Sequence, residues 1–167
     1  SKVSIVTPKV QTTRTRILGV TVLTGAQLVF VDTPGIFQPK RRLDRAMVSA
    51  AWGGASDADL IILLIDAERG INTDTKRIIN KLKSSEKTAI CTINKIDTVK
   101  PSSLLEMIKK LSEYTIFGAF FMISALKGDG VDDLKKELAI KLPVGPWLFP
   151  EEQLSDMNER LFSAEIT

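Results

Sequence analysis

Short apolar runs alternate along this chain with segments of helical periodicity, and that alternation restricts the fold more than any other feature. Residues 17–23 (ILGVTVL), 27–31 (QLVFV), 60–65 (LIILLI), 88–93 (TAICTI) and 119–123 (AFFMI) are runs of strand length, rich in β-branched and aromatic residues. Between and after them lie three helical patterns. Residues 73–83 carry Ile78, Ile79 and Leu82; residues 101–112 place Leu104, Leu105, Ile108 and Leu111 on one face; residues 131–142 repeat Val131, Leu134 and Leu138. A further helix is expected over residues 43–51. Strands separated by helices of this length predict βαβ units and a parallel sheet, hence an α/β fold. The first two runs are joined by Thr24 and Gly25 alone, a tight connection that predicts an antiparallel hairpin. The unbroken run LIILLI predicts a strand buried on both faces.

A length of 167 residues suits one domain with a sizeable core. No apolar run approaches the roughly 20 residues that span a bilayer, and the first ten residues lack the layout of a signal peptide. The one cysteine, Cys91, excludes an internal disulfide and fits a reducing compartment; inside TAICTI it reads as a buried, inert thiol. The absence of histidine removes Ser-His and Cys-His catalysis and any His-metal site. A cation would need oxygen ligands, as magnesium prefers. The net charge of +3 permits a polyanionic partner without demanding one.

Three motifs close strand-like runs. DTPG (Asp32, Thr33, Pro34, Gly35) follows LVFV, which puts Asp32 at the carboxyl end of a strand, the edge where open α/β sheets bind ligands. A carboxylate there can hold Mg²⁺, and Gly35 lets its N–H approach a terminal phosphate without a Cβ clash; an ordinary turn explains the same residues. NKID (Asn94, Lys95, Ile96, Asp97) ends TAICTI. Asp97 can accept from the N1–H and 2-amino group of guanine, a pattern that adenine lacks. Asn94 would tie neighbouring loops and the Lys95 stem would cover the base; the plainer reading is a helix cap. In SAL, Ser124 would brace the loop, Ala125 would offer its N–H to the guanine O6, and Leu126 completes the motif. Within QTTRTR, the Thr13 hydroxyl could ligate Mg²⁺ as a loop closes over a γ-phosphate. KGDGVDD (residues 127–133) misses the spacing of a calcium loop and reads better as a helix start with early acidic residues. Lys40, Arg41, Arg42 and Arg45, with Lys9, Arg14 and Arg16, read first as a solvated surface that could face RNA phosphates.

QTTRTR, DTPG, NKID and SAL in series resemble the bacterial GTPases of the Era and tRNA-modification branch, and the segment LPVGPWLFPEEQLSDMNERLFSAEI narrows the resemblance to Era. Its prolines Pro143, Pro146 and Pro150 forbid a continuous helix, while Trp147, Leu148 and Phe149 supply apolar anchors. The resemblance implies a three-layer Ras-like P-loop NTPase fold with a mostly parallel central sheet. Residues 1–142 would be the G domain and residues 143–167 an arm toward an RNA-binding KH domain. It implies GTP hydrolysis to GDP with Mg²⁺ held by Thr13 and Asp32, and catalytic roles for Thr13 and Gly35. It also implies binding of 16S rRNA, a part in 30S subunit assembly, and a cytoplasmic location with possible peripheral contact at the inner membrane. The family's first strand, phosphate loop and first helix would precede Ser1, and its KH domain would follow Thr167; no G-x-x-x-x-G-K-[ST] occurs in these residues. Weak nucleotide binding is therefore expected of the chain as written, and an RNA-docking module or an inactive fragment is the alternative. Ile36 stands where a Ras-like enzyme carries a water-orienting Gln, so intrinsic turnover is expected to be slow.

Overall fold

The computed structural model describes residues 17–23, 25–32, 53 and 58–149. The expected alternation is present. An antiparallel hairpin, β1 (Ile17–Leu23) and β2 (Ala26–Asp32), comes first, in a register that pairs Ile17 with Asp32 and Leu23 with Ala26. Gly25 takes the left-handed conformation, φ +81°, that so short a connection requires. Then follow β3 (Ile62–Asp66), α1 (Thr73–Ser84), β4 (Ala89–Asn94), α2 (Pro101–Ser112), β5 (Phe117–Met122) and α3 (Val131–Lys141). The last three strands form a parallel sheet in the order β3-β4-β5. Helix starts obey local chemistry. Asn72 caps α1 by accepting from the N–H of Thr75 at 2.9 Å, and Pro101 opens α2 at a position that needs no N–H donor.

Strand β4 is the wall between two cores. Ala89, Cys91 and Ile93 face one side, against Leu63 and Ile65 of β3, Ile79 and Leu82 of α1, and Leu104 and Leu111 of α2. Ile90 faces the other, with Leu28 of β2, Ile123, and Leu134 and Leu138 of α3. The strand period of two makes this division possible. Each fully buried Ile or Leu contributes about 1.5–3 kcal/mol from removal of apolar surface. Cys91 is inaccessible, and burial pushes its thiol from about 9 up to about 12. The native protonated thiol therefore favours the fold fully below about pH 9, and that contribution fades as pH climbs toward 12.

Three expectations fail here. The run LIILLI is not buried on both faces: Leu63 and Ile65 are, whereas Leu64 is 59% exposed, because no described helix covers that part of the α3-side face. Leu105 is 68% exposed; it sits one residue, or about 100°, off the stripe formed by Leu104, Ile108 and Leu111. Residues 143–149 are irregular, and of the three expected apolar anchors Trp147 and Leu148 are exposed while Phe149 alone is partly buried. The helix expected over 43–51 lies outside the described residues.

Thr92, on β4, is fully buried, yet its hydroxyl has no hydrogen-bond partner among the described residues. An orphaned buried hydroxyl costs about 1–3 kcal/mol. Thr92→Val removes the hydroxyl and keeps the branched shape. It should stabilise the chain by about 1 kcal/mol, raising the thermal midpoint by about 3 °C. A lowered midpoint would mean that the hydroxyl is hydrogen-bonded in solution.

Candidate guanine-recognition site

The carboxyl ends of β3, β4 and β5 carry Asp66, the NKID segment and the SAL segment, and backbone hydrogen bonds join them into one rim. The Ala67 N–H donates to the Asn94 carbonyl at 2.9 Å, Ile123 N–H to Ile93 carbonyl at 2.8 Å, and Ile96 N–H to Ile123 carbonyl at 3.2 Å. The centre of the rim is the Asn94 side chain. Its Oδ1 accepts from the N–H of Lys95 at 2.8 Å and from the N–H of Ala125, 31 residues away, at 3.0 Å. The expected tie between loops thus exists. It also engages the Ala125 N–H, which sequence alone had pointing at the guanine O6.

Lys95 adopts φ 65°, the left-handed region that a side chain with a Cβ seldom enters. The conformation costs about 1–2 kcal/mol and persists only where the surroundings enforce it. Two contacts do so here: the N–H bond to Asn94, and Lys95 Nζ against Asp66 Oδ2 at 2.7 Å. Asp66 is held in turn by the N–H of Glu68 at 2.9 Å. Burial pushes the Asp66 carboxyl up, but the hydrogen bonds from Lys95, Glu68 and Arg69 outweigh it and hold it below the usual carboxylate range.

After Lys95 the chain makes a 3-10 turn, Ile96–Thr98, which presents Asp97. The Asp97 side chain is only 14% exposed and its Oδ2 lies 3.7 Å from Lys127 Nζ. The Ser124 hydroxyl bonded to the carboxylate, and then Lys127, hold Asp97 below the ordinary carboxylate range, so it stays ionised across neutral and mildly acidic pH. Ser124 is completely buried; its backbone bridges to Asp129 and its Oγ accepts from the N–H of Lys127 at 3.2 Å. Its role as a brace stands in the geometry. Leu126 is 90% exposed and projects from the loop. The next turn is fixed by Gly130, where an added Cβ would come within 2.4 Å of the Met122 carbonyl oxygen. That glycine, at φ +70°, starts α3 with Asp132 and Asp133 in its first turn, so KGDGVDD is the helix start expected.

The structure therefore brings together Asn94, Lys95, Asp97, Ser124, Ala125 and Leu126. Asp32 is the last residue of β2. Thr13, Thr33, Pro34 and Gly35 lie outside the described residues. Two participants were not anticipated. Asp66 was signalled only by a carboxylate closing the run LIILLI, and Lys127 only by its place after SAL. Asn94→Ala leaves the N–H groups of Lys95 and Ala125 without their acceptor. It should cost about 1–3 kcal/mol in urea unfolding and speed hydrogen exchange at Ala125. Unchanged exchange there would show that the tie does not hold the loop in solution.

Residues 4–144 match the family model for the elongation factor Tu GTP binding domain. GTPase Era of Sinorhizobium medicae is 52% identical over 167 residues, covering the whole chain and 54% of that protein. Two solved structures are similar at 39% identity, each covering 90% of this chain and 52% of the other. One is Era in complex with MgGDPNP and nucleotides 1506-1542 of 16S ribosomal RNA, at a TM-score of 0.84. The other is an Aquifex aeolicus Era variant bound to GDP.AlF4-, at 0.82. The chain spans about half the length of the relatives it matches. These likenesses identify the α/β architecture as the Ras-like G-domain fold. The chain belongs to the elongation factor Tu GTP binding domain family and is homologous, over its full length, to the Era GTPases.

Proposed function

We propose that the chain is the guanine-reading G domain of a GTP-hydrolysing switch that acts on small-subunit ribosomal RNA. The observation that carries this reading is the ionised Asp97 carboxylate beside the Asn94–Ala125 tie, at the carboxyl edge of a parallel sheet. The carboxylate would accept from the guanine N1–H and 2-amino group. Lys127, 3.7 Å away, balances its charge while no base is present. The Lys95 stem, held by Asp66, would lie over the ring. A base with adenine's pattern would leave the carboxylate unpaired, a mismatch that discriminates by roughly 10⁴ to 10⁵ in favourable sites.

On the phosphate side, Thr13 and Asp32 would supply oxygen donors alone, which suits Mg²⁺. The ion, when bound, would neutralise charge on the phosphate oxygens. Asp32 reaches that role from the end of β2; Thr33 and Pro34 carry the chain to Gly35, whose N–H would meet the γ-phosphate. Ile36 cannot polarise water, so hydrolysis should be slow until a cation or an RNA partner assists it. An intrinsic turnover as fast as that of an activated GTPase, with no partner present, would contradict this assignment. Residues 143–167 form the proposed arm out of the G domain. The 16S rRNA fragment in the similar Era complex supports RNA as the partner, and a cytoplasmic site of action follows from the same reading.

Asp97→Asn tests base reading directly. It exchanges an acceptor for a donor, so affinity for guanine nucleotides should fall at least about 100-fold while xanthine nucleotides gain. Competition against a fluorescent guanine nucleotide reads both. An unchanged preference for guanine over xanthine would remove Asp97 from the site.

A further inference from the structure

The cation beside Asp97 is rooted on the same residue that aims the carboxylate. Ser124 is completely buried. Its hydroxyl bonds the Asp97 carboxylate, and its Oγ also accepts from the N–H of Lys127 at 3.2 Å. The Ser124 carbonyl accepts from the N–H of Gly128 at 2.8 Å, and the Ser124 N–H donates to the Asp129 carbonyl at 3.0 Å. The backbone around Lys127 is thus pinned on both sides, while its side chain is 57% exposed. A lysine with a fixed root and a free head reaches one carboxylate here: Nζ lies 3.7 Å from Asp97 Oδ2. That separation exceeds a good N–H···O bond. The contact is a loose charge pair of the kind that yields readily to a competing donor. Lys95, the other lysine of the rim, is already committed, with its Nζ 2.7 Å from Asp66 Oδ2. Among the described residues, Ser124 and Lys127 are the side chains that act on the Asp97 carboxylate.

An ionised carboxylate only accepts, and an ammonium only donates. Guanine brings two donors to Asp97, the N1–H and the 2-amino group, so base and ammonium compete for the same oxygens. Xanthine carries an oxygen where guanine carries the 2-amino group. Against Asp97 alone, that oxygen sets acceptor against acceptor. An ammonium with three donors can serve the base oxygen and Asp97 Oδ2 together. We infer that Lys127 is a specificity-determining residue: guanine binds by displacing its ammonium from Asp97, whereas a base with an oxygen at that position binds by keeping it. Lys127 therefore weakens the preferred base and favours the wrong one, and the discrimination that Asp97 supplies is held below its ceiling. The inference rests on the base-reading role of Asp97 proposed above.

Affinities for GDP and for xanthosine diphosphate, measured on the full 167-residue chain by competition against a fluorescent guanine nucleotide in Mg²⁺, test it. The two ligands carry the same phosphates, so a general loss of positive charge cancels in their ratio. Lys127→Met should bind GDP about threefold more tightly and xanthosine diphosphate about threefold more weakly, raising the guanine preference about tenfold. Lys127→Ala, which removes the ammonium in a second way, should do the same. Lys127→Arg keeps the cation and should hold the wild-type preference to within about twofold. The thermal midpoint of each variant establishes that it folds.

Opposite movement of the two affinities is the signature, because a merely structural loosening of the loop would weaken both. Affinities that move together, or a preference unchanged in both neutral variants, would overturn the role of Lys127 and leave the functional reading intact. A wild-type chain that binds no guanine nucleotide would overturn the functional reading for this chain, and the role of Lys127 with it.

Discussion

One oxygen atom organises the site. Asn94 Oδ1 accepts two N–H groups, from Lys95 next to it and from Ala125 across the gap between loops. Each bond is modest in net terms, about 1 kcal/mol, but the pair does what burial cannot. The loops at the ends of β4 and β5 are largely exposed, with no apolar core of their own to set their spacing. The amide fixes that spacing, and with it the distance between Asp97 on one loop and Ser124 on the other. A hydroxyl that donates to a carboxylate and aims it is useful only if it stays within hydrogen-bond reach.

The left-handed Lys95 belongs to the same arrangement. Its conformation turns the chain sharply at the end of β4, so that Asp97 enters the rim after a single 3-10 turn. The cost is met locally by the Asn94 bond at its N–H and by the Asp66 contact at its ammonium. The rim thus stores a small strain that three neighbouring strand ends jointly enforce, and it is pre-shaped before a ligand arrives. Gly130 makes the corresponding sharp corner after β5, where the close Met122 carbonyl leaves no room for a Cβ.

Most of the fold was legible in the sequence because it depends on local periodicity. The bounds expected for β1 and α2 coincide with those observed, and the others differ by a residue or two. What failed was whatever depended on neighbours distant in sequence. Leu64 and Leu105 are apolar residues whose exposure is decided by which helix covers them, and periodicity does not carry that information. The NKID and SAL motifs were legible as residue types, whereas the partnerships around them were not: Asp66 finds Lys95 across 29 residues, and Gln27 finds Phe149 across 122. A lone glutamine at a strand start offers no signal that it will hold a distant backbone. The residues of the DTPG side, Thr13 and Thr33 to Gly35, rest on sequence and family alone.

The hairpin and the parallel sheet share a core but no backbone ladder among the described residues. Leu28 and Phe30 of β2 meet Ile90, Ile123, Leu134 and Leu138 through side chains only. A ladder of hydrogen bonds has discrete registers, so displacement along it requires bonds to break together. An interface of branched aliphatic side chains has no such steps and tolerates small sliding at little cost. Among the described residues, then, the hairpin meets the parallel sheet through a side-chain interface, and both Gln27 and Asp32 lie on the hairpin side of it.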